Sequence, residues 1–154
     1  MPHDQAYLLA EKKIEEALKS GATELSLNGM RLSELPETIS QLTTLTKLDL
    51  GCSFLVLENK NQLASLPESF GNLTQLQLLD LSYNRLITLP KSFGNLTQLQ
   101  SLNIPFNQLT TLPESFGRLT KLKSLNLTEN QLGELPKSFG NLIKITSLEL
   151  SDNQ

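Results

Sequence analysis

The stretch "LQLLDLSYNRLITLPKSFGNLTQ", residues 76–98, decides the fold of this chain of 154 residues. Leucines, one asparagine, one Leu-Pro pair and one phenylalanine hold fixed places in it, and the same places recur on both sides. The Leu-Pro pairs lie 31, 23, 23 and 23 residues apart and end at Pro36, Pro67, Pro90, Pro113 and Pro136. Each unit reads L-x-x-L-x-L-x-x-N-x-L-x-x-L-P-x-x-F-x-x-L-x-x, and self-similarity at such a period indicates a repeat architecture.

The spacing of the leucines predicts one short strand in each unit. Leu79 and Leu81 lie two residues apart, so in an extended segment they point to one side while Asp80 points to the other. The equivalent pairs are Leu48/Leu50, Leu102/Ile104, Leu125/Leu127 and Leu148/Leu150. No unit can bury its apolar side alone, so these strands should stack in parallel and take their stability from stacking.

The second half of each unit returns the chain to the next strand. Proline fixes the turn, and the aromatic residue three positions later points inward. We expect Phe70, Phe93, Phe116 and Phe139 to be buried and stacked in a spine. An asparagine follows each strand and offers two donors and one acceptor to unpaired backbone groups. These residues are Asn61, Asn84, Asn107, Asn130 and Asn153, with Met30 in the slot of the first unit.

The repeated unit resembles the leucine-rich repeat family, in its 23-residue bacterial class with Leu-Pro and Phe-Gly-Asn-Leu. The resemblance implies an α/β fold, a leucine-rich repeat solenoid with a parallel β-sheet on its concave face and an asparagine ladder along it. It implies a capping helix within residues 1–21 and repeats over residues 22–154. The repeats comprise five full units and a partial sixth, with an insertion near residues 51–58.

The N-terminal segment lacks the repeat pattern. Asp4 suits a helix N-cap and Gly21 suits the C-terminal end. The apolar residues near helical spacing are Tyr7, Leu8, Ile14, Ala17 and Leu18. We expect an amphipathic helix over residues 4–20 that covers the open edge of the first repeat, since solenoids need such a cap. A helix that binds a partner or a membrane surface fits its mixed polar face less well. No cap follows the sixth strand, so we expect a fragment of a longer protein.

Composition restricts the partners. The formal net charge is -3, with 13 basic and 16 acidic residues, which argues against nucleic acid and against anionic membranes. No apolar run approaches the roughly 20 residues of a membrane helix. The single cysteine, Cys52, excludes an intramolecular disulfide and favours a reducing compartment. We therefore expect a cytoplasmic protein.

The residue types of catalysis are scarce. His3 is the only histidine, so neither a His/Cys zinc site nor a Ser-His-Asp arrangement is plausible. No phosphate-binding glycine motif occurs. Asp49 and Asp80 on adjacent strands could form paired carboxylates, but a solvated polar face explains them better. We expect no enzymatic activity, no cofactor and no bound metal.

The residues that alternate outward from the buried leucines define the concave face, whose central column is polar and acidic. Just beyond the strands, Tyr83 and Phe106 occupy the same slot of adjacent units, either as binding anchors or as rim packing. The pattern predicts a non-catalytic module that binds another protein, and the acidic column favours a partner with a basic surface. The candidate binding residues are Lys47, Asp49, Phe54, Leu78, Asp80, Tyr83, Asn103, Phe106, Asn126, Glu129 and Glu149.

Two alternatives place the module in a larger context. The opening "EKKIEEALKSGATELSLNGMRLSELPETI" resembles the start of repeat domains in bacterial Roco-type GTPases. In those proteins catalysis lies in a later domain, so this region would regulate or recruit. The other alternative is a secreted bacterial effector or adhesin.

The second unit carries an insertion. Aligning "LDLGCSFLVLENKNQL" with "LDLSYNRL" places it at about Gly51–Glu58, on the rim beside the second and third strands. We expect Gly51 to give the chain freedom to leave the ladder. The apolar run from Phe54 to Leu57 then either folds back onto rim side chains near Tyr83 or forms an apolar lip. Such a lip would contact a partner or a second copy of the chain.

Overall fold

The structure, a computed structural model, describes residues 4–52 and 54–154, and the side chains of residues 54–56 lie outside that description. Within these residues a helix, α1 (Gln5–Ser20), precedes six parallel strands of one sheet, which follow each other in chain order. The strands are β1 (Glu24–Ser26), β2 (Lys47–Asp49), β3 (Leu78–Asp80), β4 (Ser101–Asn103), β5 (Ser124–Asn126) and β6 (Ser147–Glu149). The predicted fold class, a leucine-rich repeat solenoid with an N-terminal helix, is confirmed.

The register of the sheet follows the period of the sequence. Leu79 pairs with Leu48 on one side and with Leu102 on the other. Equivalent leucines therefore lie over one another, and all three are buried. A second row of Leu50, Leu81, Ile104 and Leu127 is completely buried behind them. These two rows form the sheet side of one continuous core.

A short 3-10 helix follows the proline of each full unit. The five helices are Glu37–Gln41, Glu68–Asn72, Lys91–Asn95, Glu114–Arg118 and Lys137–Asn141. The phenylalanine rings in the last four stack with centroids 6.2, 6.2 and 6.3 Å apart. The predicted spine is confirmed for Phe70, Phe93 and Phe116, which are fully buried. Phe139 stacks on Phe116 as predicted, but its predicted burial was wrong: it is only partly buried because no further ring covers its outer face.

The glycines after Phe70, Phe93 and Phe116 permit close packing between units. A Cβ atom at Gly94 would lie 2.3 Å from the Ser115 backbone oxygen in the next unit. A Cβ atom at Gly71 would lie 2.5 Å from Ser92 Cβ. Any larger residue would push the 3-10 helices apart, so the Phe-Gly pair is a packing requirement.

The asparagine ladder has the predicted form. Asn84 Oδ1 accepts a hydrogen bond from the Leu63 N–H at 3.1 Å, and Asn84 Nδ2 donates to the backbone oxygens of Leu50 and Leu81 at 3.1 Å. Asn61 makes equivalent bonds although the insertion precedes it. Each asparagine thus links the backbones of neighbouring units.

The N-terminal helix begins and ends as the sequence predicts. The Asp4 side chain accepts from the Tyr7 N–H at 2.8 Å, and Gly21 ends α1 at a φ of +63°. The helix packs against the Glu37–Gln41 segment.

The buried face of α1 differs from the predicted apolar stripe. Ala10, Ile14 and Ala17 are buried, whereas Leu8 and Leu18 are 55% and 44% exposed. The prediction was wrong for these two leucines. With a turn of 3.6 residues, the Ala10–Ile14–Ala17 stripe leaves Leu18 at its margin and Leu8 nearly opposite. The small alanines let the helix approach the first unit closely.

Candidate binding face

The outward residues of the six strands form two columns, which together constitute the concave face. The register aligns the acidic column, Ser26, Asp49, Asp80, Asn103, Asn126 and Glu149. It aligns a second column, Glu24, Lys47, Leu78, Ser101, Ser124 and Ser147. Every strand residue predicted to bind therefore lies in one of these columns.

Hydrogen bonds hold the acidic column in place. Asp49 accepts from Asn28 Nδ2 at 2.7 Å and from the Gly51 N–H at 3.1 Å. Asp80 accepts from the Ser82 N–H at 2.8 Å and from Asn103 Nδ2 at 2.9 Å. The two carboxylates thus order the chain that leaves each strand, as short polar side chains often do. This role explains them without catalysis.

The second column changes character along the sheet. Lys47 Nζ lies 3.5 Å from Glu24 Oε2 at its first end. Leu78 follows and is 44% exposed. Beyond it the column contains only serines. The concave face therefore has an apolar point between a charged end and a floor of small polar side chains.

Two aromatic side chains lie side by side at the end of the strands. The rings of Tyr83 and Phe106 stack with centroids 4.4 Å apart and planes 7° apart. Both residues have left-handed backbones, with φ of +56° and +55°. Each backbone N–H donates to the next unit, Tyr83 to the Pro105 oxygen at 3.1 Å and Phe106 to the Thr128 oxygen at 3.0 Å. Tyr83 is partly buried, whereas Phe106 is 40% exposed.

The same slot becomes acidic further along. Glu129 and Asp152 follow Phe106 in it, with φ of +53° and +57°. Both are exposed, as is Glu149 on β6. The rim therefore runs from an aromatic pair into two carboxylates, and Glu149 adds a third on the neighbouring acidic column. We define these residues, Tyr83, Phe106, Glu129 and Asp152, as the rim column.

The insertion begins beside the third unit and ends beside the first. The Cys52 N–H faces Ser82 Oγ at 3.4 Å, and Phe54–Asn59 form a 3-10 helix. Asn59 then accepts two hydrogen bonds from Arg31, from the backbone N–H at 3.2 Å and from Nε at 3.0 Å. The predicted placement beside the second and third strands therefore omitted the first unit. Arg31 was missed because its position in the repeat gave no signal.

Gly51 does not have the role that the sequence suggested. It is buried, and a Cβ atom there would lie 2.3 Å from Asp80 Oδ1 and 2.5 Å from Ser82 Oγ. The glycine is needed for close approach to the third unit. The expected freedom of the chain at this position was the wrong explanation. Ser82, which the alternation placed on the open face, is buried here.

The structure gathers most of the candidate residues into one continuous area. The acidic column, Leu78 and the rim column adjoin one another through the strand register. Lys47 lies beside them but is paired with Glu24. The side chain of Phe54 lies outside the described residues. The binding role of all these residues stays a prediction.

Among the described residues, no group of three or more His, Cys, Asp or Glu side chains could hold a metal ion. In the same part of the chain, no helix combines the length and apolarity needed to cross a membrane.

Comparison with known proteins agrees with this architecture. A family model described as "Leucine rich repeat" matches residues 55–109 and 110–154. The chain therefore belongs to the leucine-rich repeat family.

The solved structures similar to this chain include a bacterial protein, a type III effector domain and a chain of an insect complex. A leucine-rich repeat protein of Leptospira interrogans is 36% identical over 91% of this chain and 40% of its own, with a TM-score of 0.70. The leucine-rich repeat domain of the type III effector XopL is 26% identical over 97% of this chain and 51% of its own, with a TM-score of 0.82. A chain of the Drosophila Toll–Spatzle complex is 30% identical over 80% of this chain and 16% of its own, with a TM-score of 0.70.

This chain thus spans about half or less of each of these structures. No curated protein sequence matches it. These comparisons do not show the expected likeness to Roco-type proteins.

Proposed function

We propose that this chain is a non-catalytic module that binds another protein on its concave face and rim column. The observation that carries the proposal is that two exposed apolar side chains, Leu78 and Phe106, lie on either side of an ordered polar column. Exposed aromatic and aliphatic side chains surrounded by fixed polar groups are typical of binding hot spots. Because Asp49 and Asp80 are already held by hydrogen bonds, these two side chains lose little freedom when a partner binds.

Charge favours a partner with a basic surface. Asp49, Asp80 and Glu149 contribute three carboxylates to the acidic column, and Lys47 is the one cation that the two columns contain. The same charge disfavours nucleic acid and anionic membranes. A chain in the Toll–Spatzle complex has a similar fold, which supports a role in protein binding. We place the protein in the cytoplasm, since a single cysteine suits a reducing compartment.

A second candidate function is that of a secreted bacterial effector. The likeness to the repeat domain of the type III effector XopL favours it. In that case the same face would bind a protein of the recipient cell. A reporter fused to the protein and assayed for export by the native organism separates the two: export supports the effector, whereas retention supports the cytoplasmic module.

The test of the binding face uses one matched pair of variants. The immobilised chain captures proteins from a lysate of its source, mass spectrometry identifies them, and the affinity of the purified partner is measured by calorimetry. Leu78→Lys places a charge in the middle of the concave face. Asn72→Lys adds the same charge at the exposed end of the Glu68–Asn72 segment, away from that face.

We expect Leu78→Lys to weaken binding about tenfold or more, as hot-spot changes do. Asn72→Lys should leave the affinity within about twofold. Loss of binding in Asn72→Lys with normal binding in Leu78→Lys would move the site to the opposite surface. Equal melting temperatures of the two variants would show that folding is not the cause.

The insertion has its own test. It separates an apolar run that folds back onto the rim from an apolar lip that contacts the partner. Replacing Gly51–Glu58 by Ser-Tyr, with the length adjusted to a 23-residue unit, removes it. A variant that keeps its melting temperature and loses its partner supports an apolar lip. A variant that keeps both shows that the insertion plays no part in binding.

A further inference from the structure

We propose that the rim column contains a subsite for an arginine side chain. In it, a guanidinium group of the bound protein stacks on the open face of Phe106 and pairs with the carboxylate of Glu129. This inference rests on the proposed protein-binding function and specifies one chemical group of the partner.

The first support is the geometry of the aromatic stack. Tyr83 covers one face of the Phe106 ring at a centroid distance of 4.4 Å. The opposite face is directed along the solenoid toward the next unit. Phe106 remains 40% exposed although it is stacked. The uncovered part of the ring is therefore open to a planar group that a partner supplies.

The second support is the position of Glu129. It occupies the slot of Phe106 one unit further on, and its φ of +53° matches the +55° of Phe106. Its N–H donates to the Ser151 oxygen at 3.0 Å, as the Phe106 N–H donates to Thr128 at 3.0 Å. Because the two backbones coincide in this way, their Cα–Cβ bonds leave in the same direction. The side chain of Glu129 therefore starts one unit beyond the open ring face, and its carboxylate is within reach of a group that stacks on the ring.

The third support is charge complementarity. Among the described residues, no Lys or Arg lies within ion-pair distance of Glu129; the pairs that occur there are Lys19–Glu15 and Lys47–Glu24. Glu149 and Asp152 stand in the adjoining unit and are exposed. The three carboxylates produce a negative potential at the end of an aromatic stack. A partner cation neutralises it, whereas a partner anion is repelled.

The shape of the subsite favours arginine over lysine. A guanidinium is planar, is weakly hydrated and stacks face to face on aromatic rings. Its N–H groups can pair with a carboxylate beside the ring while the stack is kept. An ammonium group lacks the flat surface and gains less from the position next to Phe106. The structure therefore points to a basic partner that presents arginine at the rim.

The test uses N-acetyl-arginine amide as the probe, in an NMR titration of the isotope-labelled chain. N-acetyl-lysine amide keeps the charge without the plane, and N-acetyl-citrulline amide keeps the plane without the charge. We expect saturable shifts at Phe106 and Glu129 with the arginine probe, with a dissociation constant on the order of 10 mM. The lysine and citrulline probes should bind about threefold more weakly or worse.

Two variants locate the interaction. Phe106→Leu keeps an apolar side chain in the slot but removes the ring, and we expect about fivefold weaker binding of the arginine probe. Glu129→Gln keeps the size of the side chain, and we expect the arginine probe to bind no better than the citrulline probe. Glu134→Gln removes an exposed carboxylate elsewhere in the unit and should leave the titration unchanged.

The outcomes separate this subsite from the wider function. The subsite proposal is wrong if the NMR shifts do not saturate by about 100 mM of the arginine probe, or if all three probes bind alike. It is also wrong if Glu134→Gln weakens binding of the arginine probe as much as Glu129→Gln does. None of these results involves the partner protein, so each leaves the concave-face proposal standing. Conversely, normal partner binding by Leu78→Lys contradicts the concave face even where the arginine probe binds as expected.

Discussion

The two ends of the sheet carry the same sequence pattern and differ in burial. At the first end, α1 covers the initial unit, and Leu27, Ile39 and Leu42 are between 0% and 2% exposed. At the last end, Leu150 and Phe139, which hold the places of Leu27 and Ile39 in the repeat, are only partly buried. The difference shows that burial in this fold is supplied by the neighbouring layer, so that a helix can stand in for a repeat.

Pairs of equivalent residues make the comparison quantitative. Phe116 is fully buried between two rings, whereas Phe139 has a ring on one side only and is partly exposed. A Cβ atom at Gly117 would lie 2.4 Å from Ser138 atoms, whereas one at Gly140 would meet nothing within 4 Å. The same substitution should therefore have different effects at the two places.

The largest difference is expected from the phenylalanine spine. Phe93→Ala should lower the free energy of unfolding by about 3–5 kcal/mol, because it removes a fully buried ring and leaves a cavity between two units. Phe139→Ala should cost roughly half as much, since water already reaches that ring. Urea unfolding of both variants measures the difference. A cost below about 1 kcal/mol for Phe93→Ala would contradict a spine that stabilises the fold.

Alanine substitutions of Gly94 and Gly140 should give the next largest difference in stability. Gly94→Ala forces a Cβ atom against the Ser115 backbone and should cost about 1–3 kcal/mol. Gly140→Ala meets open space and should be neutral or slightly stabilising, since alanine restricts the unfolded chain. Thermal unfolding of the two variants provides the comparison. Equal losses would mean that conformation rather than contact with the next unit selects glycine here.

Substitutions of Asp4, the N-cap residue of α1, test the first end of the sheet, which α1 covers. Asp4→Ala removes the acceptor for the Tyr7 N–H and should cost about 1 kcal/mol. Asp4→Asn keeps an acceptor in place and serves as the control, with stability close to that of the unchanged protein. Circular dichroism during urea unfolding measures both. If both changes cost the same, the charge of Asp4 matters and its hydrogen bond does not.

Those parts of the fold that recur with the period of the repeat could be predicted from the sequence. The hydrogen bonds of Asn61 and Asn84 require only a bend that exposes backbone groups, so the ladder was predicted even past the insertion. The strand register followed because one period places Leu79 over Leu48. The alignment of the acidic column and of the rim slot followed for the same reason.

The parts that depend on segments outside the repeat pattern, α1 and the insertion, could not be predicted. Leu8 and Leu18 follow helical spacing, but the side of α1 that is buried depends on the shape of the first unit. Ser82 alternates outward, yet Cys52 in the insertion lies over it. Gly51 looked like a flexible joint, whereas a contact with Asp80 in the next unit requires it. Each of these depends on a surface that the local pattern does not describe.

The smallest expected effect concerns carboxylates that join one unit to the next on the outer side. Glu114 accepts hydrogen bonds from the Lys137 and Ser138 N–H groups, both at 3.2 Å. The bond from the Ser138 N–H holds the pKa of the Glu114 carboxyl below its usual value. Lys91 fills the equivalent position of the preceding unit and cannot accept a hydrogen bond. The contact therefore occurs in some units only and adds a small stabilisation to the packing between units.

The sign of the pH dependence follows from the direction of this shift. Because the pKa of Glu114 is lower in the folded chain than in the unfolded chain, its carboxylate stabilises the fold above the unfolded pKa, and the contribution is lost as the pH falls through the folded pKa. Glu114→Gln should therefore lower the melting temperature slightly at about pH 7, and this deficit should shrink as the pH is lowered below the unfolded pKa. Glu134→Gln removes one exposed charge elsewhere and controls for net charge. A Glu114→Gln deficit that persists undiminished at the lower pH would show that the ionised carboxylate is not the source of the effect.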